Sequence, residues 1–421
     1  MVDYPDFEYS IAYSYDSKNQ VEIEQHIGIG VNSRLYYIYD ESGNILKKKD
    51  KEYEYTDSRW GDLLTSYDGH SITYNDAGYP TQYPVKGVDS RLEWTYNGRL
   101  ATVFPSNGGV YDYLYDSFGR RVAKNTNGSK FYYSGDTLVA ETRAQGKYFE
   151  YMYDESGRPQ GMYYYDGTKL NKYYFLLNLQ GDVVQLRAQN NSLIAEYIYS
   201  AYGEILSIKD ANGNDITDSN HIANVNPIRY RGYYYDTETG FYYLKSRYYD
   251  PNTGRFISPE PNAKYGQFDE NAGILGYNLY AYCANNPVNN LDPTGEFIIS
   301  IAVLIGIGVG AAIGGVIGGT YGYKKAVKNN VPKEQRWKYV VGYGIGGAVV
   351  GGVIGGFVGY GAGVALGAKA SSGLVMKSIS KAISSVSSNT MHHIMQSKHA
   401  WGRVIRNVSW NNVKGLINAT I

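Results

Sequence analysis

Alternation of tyrosine with other side chains is the strongest pattern along the chain. Tyr37-Ile38-Tyr39-Asp40 leads to Gly43-Asn44, Tyr74-Asn75-Asp76 to Gly78, and Tyr96-Asn97 to Gly98-Arg99. Tyr113-Leu114-Tyr115-Asp116 leads to Gly119-Arg120, Tyr151-Met152-Tyr153-Asp154 to Gly157-Arg158, and Tyr197-Ile198-Tyr199 to Tyr202-Gly203. A period of two belongs to a strand with one covered face. Asp or Asn followed by Gly supplies a turn that needs positive φ. Each unit therefore predicts a hairpin. The tyrosines at 39, 74, 96, 115 and 153 lie 35, 22, 19 and 38 residues apart, near one or two multiples of about 19. A lone hairpin cannot cover its apolar face, so the units are expected to stack into a long sheet. A β-sandwich with aromatic strands is the alternative, and the spacing favours the stacked sheet. Tyrosine suits such a surface because its ring packs while its hydroxyl finds a partner.

A second pattern begins near residue 297. Residues 297–323 hold no charged side chain, and Gly306, Gly310, Gly314, Gly318 and Gly322 recur every fourth residue. Residues 339–368 repeat this with Gly347, Gly351, Gly355, Gly359, Gly363 and Gly367. Such spacing lines one helix face with backbone and lets two helices approach closely. The first run, as a helix, is about 40 Å long, against a bilayer core of about 30 Å. A membrane-inserting helical hairpin is expected. Its connecting loop carries Lys324, Lys325, Lys328, Lys333, Arg336 and Lys338, flanked by Tyr321, Tyr323, Trp337 and Tyr339 like an interfacial belt. The rivals are an apolar segment packed inside the strand-built part before delivery and a flexible Gly/Ala linker. Residues 369–390 read as a Ser/Lys-rich linker.

Composition sharpens the division. The chain of 421 residues has 47 Tyr, 50 Gly and no net charge. From residue 297 onward there are 13 Lys and Arg against one acid, Glu334, and only 5 of the tyrosines. An acidic, tyrosine-rich part is thus joined to a basic, glycine-rich part. The single cysteine, Cys283, excludes a disulfide framework or a Cys-rich zinc site. Met1-Val2-Asp3-Tyr4-Pro5 has neither the cationic start nor the apolar run of a secretory signal, and it reads like the middle of a repeat region.

The tyrosine units resemble the YD repeats of rearrangement-hotspot (RHS) proteins, wall-associated proteins and teneurins. The stretch from Arg229-Tyr230-Arg231-Gly232-Tyr233 through Arg247-Tyr248-Tyr249-Asp250-Pro251, Gly254-Arg255-Phe256 and Asn285-Asn286-Pro287 to Asp292-Pro293-Thr294-Gly295 resembles the RHS repeat-associated core. The resemblance implies a mainly β fold: a strand spiral forming a hollow shell around a C-terminal effector, closed by the core. On this reading residues 1–226 are YD repeats, 227–296 the core, 297–368 the α-helical glycine-zipper hairpin, 369–390 a linker and 391–421 a short α-helical tip. In cleaving relatives an arginine and two acids of the core free the effector. The matching positions here are Arg247, Glu260 and Asp292. Two departures stand out: Glu260 replaces the usual aspartate, and Glu296-Phe297 occupies the place where cleaving relatives often have leucine. The plainer alternative makes 292–295 only a turn and Arg247 a structural ion-pair donor.

The tip holds His392, His393 and His399. On a helix, His392, Gln396, His399 and Arg403 share one face, while Ile394, Lys398, Trp401 and Ile405 share another. One imidazole that accepts the 2′-OH proton and one that protonates the leaving oxygen suit metal-independent RNA cleavage. Arg403 or Lys398 is placed to stabilise the charged phosphorus centre. The segment resembles the start of a type 35 polymorphic-toxin domain, for which ribonuclease activity is the expectation. Its 31 residues fall below the roughly 40 needed to fold unaided, so a truncated effector is expected. A zinc pair from His392 and His399 is weaker, since no carboxylate or Cys lies nearby, and no metal or cofactor is expected. A surface helix with incidental histidines is the remaining alternative. Together these readings predict a secreted or cell-surface, membrane-associated toxin-delivery protein of interbacterial competition. Its expected partners are its own effector, membrane lipid, RNA and a cognate immunity protein. A non-enzymatic adhesion protein anchored in the membrane is the competing class.

Overall fold

The computed structural model describes residues 2–4, 9–28, 33–266, 270–296, 298–329 and 331–365. The fold is mainly β, and the chain divides into two compact units, Met1–Ile298 and Ile299–Ile421.

In the first unit the strands follow one another in chain order. An eight-stranded antiparallel sheet runs from Val2–Tyr4 to His70–Ser71, and a fourteen-stranded one from Thr73–Tyr74 to Ile205–Lys209. Each strand pairs with its sequence neighbours, the product expected of repeated hairpins joined by short turns.

The Asp-x-x-Gly turns are built alike. Asp116 N–H donates to Arg120 O at 2.9 Å, and Gly119 N–H donates to Asp116 O at 3.0 Å. The Asp116 carboxylate accepts from Phe118 N–H and Arg120 N–H at 3.0 and 2.9 Å. Asp40 and Asp154 repeat these bonds. Gly119 has φ +80°, and Asn19 fills the same left-handed position at φ 64° in the turn after Asp16. Asn is tolerated there because its short polar side chain bonds locally.

A second regularity ties successive hairpins together. The tyrosine just before the turn donates its hydroxyl to a carbonyl of the preceding hairpin. Tyr39 donates to Val21 O, Tyr115 to Leu100 O, Tyr133 to Arg121 O, Tyr153 to Leu138 O and Tyr199 to Val183 O, at 2.6 to 2.9 Å. Trp94 does the same through Nε1 to Pro80 O. The tyrosine two residues earlier faces inward and is buried, as at Tyr37, Tyr113, Tyr151 and Tyr197.

The two ends of this strip meet. Tyr39 and Tyr202 hydroxyls lie 2.8 Å apart, and Ala201 N–H donates to Glu24 Oε2 at 2.8 Å. Glu24 also accepts from the Tyr37 hydroxyl and contacts His26 Nε2 at 2.6 Å, with Glu24 and His26 both buried.

Segment 228–283 covers the inner face. Its four-stranded sheet comprises Tyr234–Asp236, Phe241–Leu244, Arg247–Asp250 and Arg255–Phe256. One continuous buried cluster reaches from Val21 to Cys283, with Tyr249 and Tyr282 rings 4.1 Å apart. The inward tyrosines need apolar cover, and over this stretch the chain supplies it from its own core segment. Charges cross this contact as well. Arg121 donates to Asp236 at 2.5 Å, Lys124 contacts Asp236 at 2.9 Å and Glu238 at 3.0 Å, and the Arg121 guanidinium lies 4.4 Å from the Tyr243 ring.

The second unit contains helices Ile301–Lys328 and Arg336–Ala365. A Cβ at Gly318 would collide with the Tyr343 carbonyl and one at Gly322 with the Tyr339 carbonyl, so these glycines permit the close crossing. Among the described residues no helix is long and apolar enough to cross a membrane.

The hydroxyl ladder yields a stability prediction. Tyr115→Phe leaves Leu100 O without its 2.7 Å donor and removes the 2.9 Å contact with Tyr248. The expected loss is about 1–3 kcal/mol. Leu114→Ala, on the exposed face, changes stability by less than about 0.5 kcal/mol. Urea denaturation of the two variants checks both values.

Candidate active site

Arg247 opens the third strand of the inner sheet and is 4% exposed. Its guanidinium lies 3.4 Å from the Phe256 ring centroid. Every arm has an acceptor: Nε donates to Gly295 O at 2.5 Å and Nη1 to Leu279 O at 3.1 Å. Nη2 contacts Glu260 Oε2 at 2.8 Å and Asp292 Oδ2 at 3.4 Å. The structure thus brings Arg247, Glu260 and Asp292 together, with both carboxylates on one nitrogen. A planar guanidinium with fixed donors suits this role better than a lysine point charge.

Asp292 also shapes the chain that follows it. Its Oδ1 accepts from Thr294, Gly295 and Glu296 N–H groups at 3.3, 2.7 and 3.2 Å. Thr294 O accepts from Ser246 N–H at 3.0 Å and from Ser246 Oγ at 2.7 Å. Gly295 sits at φ +78°, and a Cβ there would lie 2.6 Å from Ser246 Oγ. Only glycine fits this clamp. Tyr233 supports it from behind, donating to Asp292 O at 2.8 Å. The peptide following Gly295 is consequently held beside two carboxylates, with its carbonyl oxygen on a guanidinium.

Burial pushes the Glu260 carboxyl above its ordinary value, and the charges of Asp292 and Glu296 add to this while Arg247 opposes it. The Cys283 thiol is pushed up by burial and then by Asp292, which makes it a packed side chain rather than a nucleophile. Motif matching overlooked Ser246, Phe256 and Tyr233. Adjacency of Ser246 to Arg247 was the available signal for the first, but the contacts of the other two come only from the tertiary fold. His392, His393, Lys398, His399 and Arg403 lie outside the described residues. Among the described residues no group of His, Cys, Asp and Glu is arranged to hold a metal ion.

Residues 2–288 match the family described as Teneurin YD-shell. The chain belongs to this family. The match takes in Arg247 and Glu260 and stops short of Asp292. This YD-shell chain is 31% identical over 300 residues to the tRNA3(Ser)-specific nuclease WapA of Bacillus spizizenii, covering 68% of this chain and 12% of that protein. It is 26% identical over 298 residues to Teneurin-4 of Homo sapiens, covering 66% of this chain and 10% of that one. The chain therefore spans about an eighth or less of these relatives' length. Among solved structures, the crystal structure of TcdB2-TccC3 without its hypervariable C-terminal region aligns with a TM-score of 0.45 at 19% identity, over 68% of this chain and 17% of that one.

The raised Glu260 carboxyl fixes the sign of a pH effect. The folded state keeps this proton to a higher pH than the unfolded chain, whose ordinary value is 4.5. The stability it contributes is full below that value and is lost as pH rises through the folded one. The stability of the native chain relative to Glu260→Gln is therefore expected to fall between pH 4 and neutrality, measured as paired urea midpoints across that range.

Proposed function

We propose that this YD-shell chain is part of an RHS toxin-delivery protein that presents a C-terminal effector and frees it by self-cleavage at the core. One observation carries the cleavage reading: Arg247 holds two carboxylates on one nitrogen while donating to the Gly295 carbonyl. In this reading an ionised carboxylate takes a proton from water, and the water oxygen adds to a peptide carbonyl carbon close after Asp292. The other carboxyl, protonated, gives its proton to the departing amine. Glu260 is suited to be the protonated member because burial raises its proton affinity. Arg247 opposes the negative charge that develops on the carbonyl oxygen.

The effector part rests on sequence. Similarity to a tRNA nuclease and the His392/His399 spacing favour RNA as substrate, with Lys398, Arg403 and His393 as neighbouring donors. A cognate immunity protein belongs to the same reading, as does a secreted or cell-surface location. The helix pair enters as part of the freed segment, with lipid contact its finer element.

Purified full chain tests both parts. A C-terminal fragment beginning shortly after residue 295, seen by intact-mass spectrometry and missing from Asp292→Asn, is expected. An uncut native chain indistinguishable from that variant rejects self-cleavage. With any coding sequence that follows residue 421 restored, fragmented tRNA with the native chain and intact tRNA with His392→Ala/His399→Ala is expected of the effector. Intact tRNA with both chains leaves the adhesion class as the better account.

A further inference from the structure

A cavity of about 740 Å³ opens among the hairpin turns. Turns alternate between the two ends of an antiparallel meander. The turns at Lys86, Asn127 and Gln145, which line this cavity, therefore lie at the end opposite the Asp-x-x-Gly turns. Arg247 belongs to the other end, because Arg99 of an Asp-x-x-Gly-type turn donates to Lys245 O at 2.7 Å. This cavity is thus separate from the candidate active site.

Its charge is one-sided. Lys86, Arg143, Lys147 and Arg229 line it, and no Asp or Glu does. Arg143 has a partner in Glu141 at 2.7 Å. The other three form no ion pair with a carboxylate among the described residues. Lys86 donates to Thr237 O at 3.2 Å. Arg229 is 3% exposed, donates to the carbonyls of Asn226 and Asn224 at 2.8 Å each, and lies 4.5 Å from the Tyr235 ring. These carbonyls satisfy donors of Arg229 but leave its charge without a counter-charge, so an anion entering the cavity meets an uncompensated positive field. The chain's own later segment is a poor occupant, since residues 297–421 carry 13 Lys and Arg against one acid. Ile205, Ile208 and Tyr235 add an apolar wall, and the volume lies within the range of small-molecule sites.

We propose that this cavity binds a small organic polyanion bearing phosphate or carboxylate groups. Full chain is titrated with ATP, with citrate, and with sodium chloride at matched ionic strength, following thermal unfolding and calorimetry. Saturable binding of ATP or citrate beyond the salt control is expected, and the responding arm assigns the anionic group. Lys86→Ala/Lys147→Ala is expected to weaken that binding by about tenfold or more, in line with lost charge-assisted hydrogen bonds. Lys130→Ala, an exposed lysine absent from the cavity lining, is expected to leave it unchanged. The proposal is overturned if neither anion exceeds the salt control, or if the double variant binds as tightly as the native chain.

Discussion

Every hairpin in this protein has an apolar face too small to stand alone, and the tyrosine before each turn solves the problem twice. Its ring covers the preceding hairpin, and its hydroxyl satisfies a carbonyl that the ring has just shielded from water, as between Tyr115 and Leu100. A phenylalanine covers the surface equally well but strands the carbonyl, at a cost comparable to a lost hydrogen bond. The requirement repeats at each step, which explains why tyrosine is so heavily used before residue 297. The aspartate turn sets the spacing on which the ladder depends, because its carboxylate fixes two N–H groups while the fourth residue takes positive φ.

The inner tyrosines impose a second constraint, since a strip of hairpins still leaves one face uncovered. Segment 228–283 covers it with tyrosines of its own and with buried charges. Arg121, Lys124, Asp236 and Glu238 are packed against aromatic rings far from bulk water. Pairs of this kind add little net stability against an apolar replacement, yet losing one partner is severe. Their effect is to fix register: strand Arg121–Lys124 meets Tyr234–Asp236 in one alignment. The same segment carries Arg247, so positioning of the candidate active site and covering of the strip are one structural event.

Much of this was legible in the residues. Tyr-x-Tyr-Asp-x-x-Gly announces strand, turn and strand because each residue type acts locally. The left-handed positions at Lys86 and Gln145 were not legible, since neither residue type favours positive φ and only the glycine after each marks the turn. Closure through Glu24 and Ala201 was hidden for another reason: the partners lie 177 residues apart, and no local pattern pairs them. At the candidate site, motif spacing pointed to Arg247, Glu260 and Asp292. The clamp made by Ser246 and Tyr233 depends on how a later turn packs against an earlier strand, which local pattern does not encode. Periodic glycines announced two closely crossing helices but did not decide their surroundings, because the same spacing serves packing in lipid and in protein.

Hydrogen exchange on native chain and on Asp236→Asn tests most directly whether strip and core segment form one cooperative body. The substitution removes the counter-charge from Arg121 and Lys124 without changing side-chain volume. Protection is expected to fall together in strands Arg121–Lys124, Tyr234–Asp236 and Arg247–Asp250. If residues 234–256 lose protection while the strip stays fully protected, the strip stands without its inner segment and the account is contradicted.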